Sequence, residues 1–135
     1  MMRLYIALVL LVLVPLVSRA ATPAVTQRIA GIYSDLAYDV EGGDLVGIEL
    51  LVVPTGSDKE PLWRAFVQIA EGSAPYCAVV SLNISGNKVA FTLPPGETLG
   101  GLHFTGTISS SEIVLTTPGG QAEHLRRGKS YWQGT

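Results

Sequence analysis

The chain has 135 residues, a formal net charge of −2 and a single cysteine, which suits one domain and rules out an intramolecular disulfide. Taking Arg3 and Arg19 away with an apolar leader leaves seven Lys and Arg against eleven Asp and Glu, a net charge near −4. A mildly acidic domain does not gather nucleic-acid backbones, because that binding draws on clustered Lys and Arg to release counterions, and the same argument disfavours anionic membranes.

The first twenty residues read as an export signal. Met1-Met2-Arg3 gives a short basic start, Leu4 to Val17 an apolar stretch, and Ser18-Arg19-Ala20 a small-x-small cleavage site. The apolar run falls short of the roughly 20 residues that cross a bilayer core. Cleavage after Ala20 is therefore expected, with a periplasmic or extracellular destination and no stable membrane anchor afterwards. Residues 21–28 read as a flexible mature N-terminus, 29–127 as a β-domain and 128–135 as a C-terminal tail.

Eight alternating apolar runs follow, each closed by a Gly-, Pro-, Ser- or Asn-rich turn. They are Ile29 to Tyr38, Leu45 to Val53, Leu62 to Ala70, Tyr76 to Ile84, Lys88 to Leu93, Leu102 to Ile108, Glu112 to Thr116 and Gln121 to Arg127. Glu41-Gly42-Gly43-Asp44 and Ser85-Gly86-Asn87 are hairpin turns, and Pro54-Thr55-Gly56-Ser57-Asp58 is expected to stop the second strand. Connections this short cannot hold the crossovers of a parallel sheet. The fold class is all-β: an antiparallel eight-stranded up-and-down meander, closed or nearly closed into a small barrel because closure removes unpaired edges. A β-sandwich is the alternative.

Alternation assigns faces. Val89, Phe91 and Leu93 share one side of the fifth run, Leu102, Phe104 and Ile108 of the sixth, and Tyr76, Ala78, Val80, Leu82 and Ile84 of the fourth. The second run is apolar on both sides except for Gly47 and Glu49, so its second face needs cover, from the tail aromatics or from a partner chain. Cys77 lies in an apolar strand with no basic neighbour to lower its pKa, and a buried, inert thiol is expected.

Glu49 carries the main functional suggestion. A carboxylate among Ile48, Leu50, Leu51, Val52 and Val53 is costly to bury without a partner. Arg64 and Gln68 on the next strand offer one, and a Glu49–Arg64–Gln68 group inside or at the mouth of the barrel would anchor a ligand. The plainer alternative is a Glu49–Arg64 pair on the outer surface, worth a few tenths of a kcal/mol. Tyr131 and Trp132 add aromatic surface suited to an interface or to plugging the barrel.

No His-x-His, Glu-x-x-His or paired-Cys spacing and no Gly-x-Ser-x-Gly elbow occurs, so no catalytic residue, metal or cofactor is expected. Glu41 and Asp44 read as a hydrated turn. An enzyme would rest on Glu49 alone as a general base.

Glu71-Gly72, Ile84-Ser85-Gly86, Phe104-Thr105-Gly106 and Leu125-Arg126-Arg127 leading into Ser130-Tyr131-Trp132-Gln133 resemble small secreted bacterial proteins of unknown function. The resemblance implies a lipocalin-like or avidin-like barrel and carries no activity. Periplasmic lysozyme inhibitors are a second comparison, as exported eight-stranded barrels, although this chain lacks their paired cysteines. The expected function is an exported, non-enzymatic binding module that holds a small ligand or presents its barrel rim to a protein. A solid structural or interaction barrel of the cell envelope and a lysozyme-inhibitor-like protein are the alternatives.

Overall fold

The computed structural model describes residues 29–57, 60–72, 75–96 and 98–134. The expected export signal and flexible N-terminus lie outside the described residues. Nine strands form one antiparallel sheet: β1 (Gly31–Ser34), β2 (Ala37–Asp39), β3 (Asp44–Ser57), β4 (Glu60–Gly72), β5 (Tyr76–Ser85), β6 (Lys88–Thr92), β7 (His103–Ile108), β8 (Glu112–Thr116) and β9 (Ala122–Gly128). Each strand from β3 to β8 pairs with its successor, and β1 pairs with both β3 and β9. That double pairing closes an eight-strand meander barrel, with β2 as the additional strand on β3.

Nine strands replace the expected eight because the first run is interrupted. β1 and β2 pair with β3 in one unbroken register, from Gly31↔Val52 to Asp39↔Asp44. Between them Asp35 turns its side chain back, and Asp35 Oδ1 accepts the Ile48 N–H at 2.5 Å. Gly47 permits this. It has φ +109°, and a Cβ there would sit 2.7 Å from Asp35 Oδ1, so a side chain would meet both backbone strain and a clash.

The second run does not stop at Pro54. β3 continues to Ser57, pairing Pro54↔Trp63 and Ser57↔Glu60. Beyond Val52 it has lost β1 as a neighbour, so one edge is open and proline's missing N–H leaves no ladder bond unmade.

Inward positions follow the expected alternation. Leu50 and Val52 on β3, Ala65 and Val67 on β4, Val89 and Phe91 on β6, Ile113 and Leu115 on β8 and Leu125 on β9 are all buried. The Phe91 and Phe104 rings stack at 5.0 Å between centroids with planes 9° apart. Tyr33 is fully buried, and its hydroxyl lies 2.9 Å from the carbonyl oxygens of both Ile29 and Ser109. Burial raises its pKa above the ordinary value, while the Arg127 guanidinium, 6.0 Å from the ring centre, works in the opposite direction. The barrel centre is thus filled by side chains, the usual result for eight strands.

Cys77 corrects an expectation. It belongs with Val79, Ser81 and Asn83 on the outward face of β5 and is exposed, because the even-numbered residues of that strand take the inside. Burial fell to the half of the strand that is apolar throughout.

Candidate functional site

The residues singled out in the sequence divide between two places on the outer wall. Glu49 and Gln68 are directly opposed on β3 and β4, and both point outward yet are buried, with 9% and 6% of their surface exposed. The C-terminal tail covers them. Ser130 Oγ donates to Glu49 Oε1 at 2.6 Å and the Tyr131 N–H to Glu49 Oε2 at 2.9 Å. The Trp132 indole N–H donates to Gln68 Oε1 at 2.7 Å.

The tail can do this because it ends in a short 3₁₀ turn, Tyr131–Gln133. Ser130 is its N-cap: the hydroxyl accepts the Trp132 N–H at 3.2 Å while giving its own proton to Glu49. The turn stacks Tyr131 edge-on against Trp132, with centroids 5.2 Å apart. Glu49 is thereby held by two donors instead of a cation, and hydrogen bonds to a charged acceptor are worth about 1.5–3 kcal/mol each. The tail aromatics supply part of the cover that the two-sided apolar β3 requires. Tyr131 and Trp132 keep 39% and 58% of their surface and line a shallow groove of about 370 Å³ with Tyr38 and Leu45.

Arg64 is not part of this group, which corrects both expectations for a Glu49–Arg64 pair. It stands opposite Val53 and Ser81, four residues along β4 from Gln68, or about 13 Å at strand rise. Arg64 lines instead a recess of about 540 Å³ where β5 changes partners. The β4–β5 ladder ends at Trp63↔Leu82, and the β5–β6 ladder begins at Asn83↔Ala90. Pro61, with no N–H to donate, stands beside the opening. The recess is lined from both faces of the wall. Trp63, Leu82, Ile84 and Val89 are apolar, Arg64 and Lys88 supply positive charge, and among the described residues no Asp or Glu lines it.

A second recess of about 550 Å³ lies toward the opposite end, over Ile48, Ile69, Leu102 and Phe104. Asp35, Glu71 and Glu123 stand around it, and among the described residues no Lys or Arg lines it. Among the described residues no group of three or more His, Cys, Asp or Glu is placed to hold a metal ion. His103 and His124 stand apart, the first 2.9 Å from Thr92 Oγ1 and the second 3.1 Å from Glu112.

Lys88 and Trp63 escaped the sequence reading, since nothing in linear spacing brings β4 and β6 to one recess across β5. Ser130 had a readable signal: a hydroxyl two residues before Trp132 at the end of the last strand is a turn cap. Comparison with family models, with curated proteins and with solved structures returns no match to this chain.

Proposed function

We propose that this chain is an exported, non-enzymatic binding module that works from recesses in its barrel wall and not from its lumen. The observation that supports this reading is the contrast between the two spaces. Tyr33, Phe91, Leu115 and Leu125 fill the centre, whereas the recesses of about 540 and 550 Å³ lie in the range, roughly 300–1,000 Å³, that takes small ligands. Among the described residues each combines an apolar lining with charge of one sign, which orients a ligand as well as holding it. The comparison with lipocalin-like or avidin-like secreted barrels belongs to the same reading, through the eight-strand meander, and so does a periplasmic or extracellular setting.

Native mass spectrometry of the protein recovered from its own host tests it. An adduct of defined mass, lost on denaturation, is expected. Protein that carries no adduct and gains none from a panel of anionic, cationic and neutral amphiphiles would count against the reading.

One observation favours a second reading, a solid interaction barrel. Leu51, Phe66 and Val79 lie in one register row across β3, β4 and β5 on the outer wall, each more than 40% exposed. An exposed apolar row of this kind suits a protein surface. Replacing Phe66 by Ser should then abolish capture of a partner while leaving amphiphile binding intact.

A further inference from the structure

We propose that the recess where β5 changes partners binds an anionic amphiphile, a molecule with a carboxylate or phosphate head and an apolar body. The inference rests on the binding-module reading and names the ligand class of one of its recesses.

Arg64 and Lys88 carry the argument. They come from strands on either side of β5, are exposed, and make no side-chain hydrogen bond or ion pair among the described residues. Among the described residues no Asp or Glu lines this recess. Both cations line the same volume, with no acidic residue beside them among the described ones. A guanidinium presents paired donors that match a carboxylate or phosphate, while an ammonium adds a point charge.

The rest of the lining fits the other half of such a molecule. Trp63 and Leu82 are nearly buried, at 8% and 5% exposure, and with Val89 they connect the recess to the core. An apolar body laid there leaves water, at about 25 cal/mol per Å² of surface removed, with its head group at the exposed cations. The entry is built into the backbone. Because the two ladders of β5 meet at Leu82 and Asn83 without overlapping, the wall opens without breaking any strand.

Two-dimensional NMR of the mature protein tests this, because the chain has two tryptophans whose indole N–H signals report separately. Trp63 lines the recess and Trp132 lies on the tail. Titration with decanoate should move the Trp63 indole signal to saturation and leave Trp132 in place. The Arg64→Gln and Lys88→Gln double variant, altered only at exposed positions, should fold with an unchanged melting temperature and bind decanoate at least about tenfold more weakly. Decyltrimethylammonium, with the same chain and the opposite head charge, should leave the Trp63 signal unmoved.

An unmoved Trp63 signal with decanoate, equal binding of the cationic probe there, or full affinity in the double variant would each overturn the proposal. If either probe moves signals of the acidic recess instead, the ligand class assigned here fails while the binding-module reading stands. If neither probe binds anywhere and the native protein carries no adduct, both fail. Phosphatidylglycerol vesicles separate the sources of the head group. Sedimentation with them that is lost in the double variant points to a lipid surface, sedimentation that survives it overturns the proposal, and its absence beside decanoate binding points to a free amphiphile.

Discussion

Ser130 donates its hydroxyl proton to Glu49 at 2.6 Å across 81 residues of chain, and the same oxygen caps the turn that places Trp132 on Gln68. One serine thus couples the start of the tail to a carboxylate on β3. A buried carboxylate with two hydrogen-bond donors among the described residues depends on both of them.

The first expectation concerns that coupling. Glu49→Ala should destabilise the barrel by about 1–3 kcal/mol, since it leaves the Ser130 and Tyr131 donors without their acceptor. Trp132→Ala should cost a comparable amount, and the double variant less than the two together, because both act through one tail. Urea unfolding of the three variants measures this, and strict additivity would separate the tail from Glu49.

Tyr33 links stability to alkaline pH. Its folded pKa is raised by burial above the ordinary value, with Arg127 offsetting part of the shift. The stabilisation is then complete below about pH 10, where tyrosine in the unfolded chain is still neutral. It is lost as the pH rises past that value, because the unfolded chain ionises first. Tyr33→Phe should lose about 1 kcal/mol at neutral pH through its hydrogen bond and should show a shallower decline in melting temperature above pH 10.

Facing makes a paired prediction. Phe91 is inside, 1% exposed, and Phe66 outside, 44% exposed. Phe91→Ala should cost about 3–5 kcal/mol, and Phe66→Ala should stay within about 0.5 kcal/mol. Equal losses in denaturant melts would mean that the outer wall is covered.

Cys77 should react with a thiol reagent in the native state, one equivalent per chain, because it is exposed on β5. A thiol that titrates only in denaturant would place it inside.

Gly106 is held between strands so close that a Cβ would run into the Val114 carbonyl oxygen. Gly106→Ala should destabilise the fold by about 3 kcal/mol, near the upper end for overpacking, read from the same melts.

The sequence made the strands and their inward faces legible because period-two alternation and turn residues are local signals. Phe91, Phe104, Val80 and Leu82 all turned inward as the pattern implies. Register is not local. A hairpin closing at Val53 and Leu62 would set Glu49 opposite Phe66, with Arg64 and Gln68 as equal diagonals. The strands run on to Ser57↔Glu60, and Glu49 meets Gln68. A shift of two residues keeps every side chain on its face, whereas a shift of one reverses them all. Burial was therefore readable while the partner of Glu49 was not. The interruption at Asp35 was hidden for a related reason: it depends on Gly47, twelve residues further along, leaving room for a side chain to cross the ladder.

The first strand has an unusual pair of neighbours, β3 on one edge and β9 on the other. A chain made from its N-terminus can zip one edge of β1 early, while the other waits for Gly128, the residue that faces Ile32. That seam closes a long loop, and loop entropy favours its closing late. It is also the natural place for the ring to part, and amide protons along Ile32–Ser34 on the β9 side should exchange sooner than those between β3 and β4.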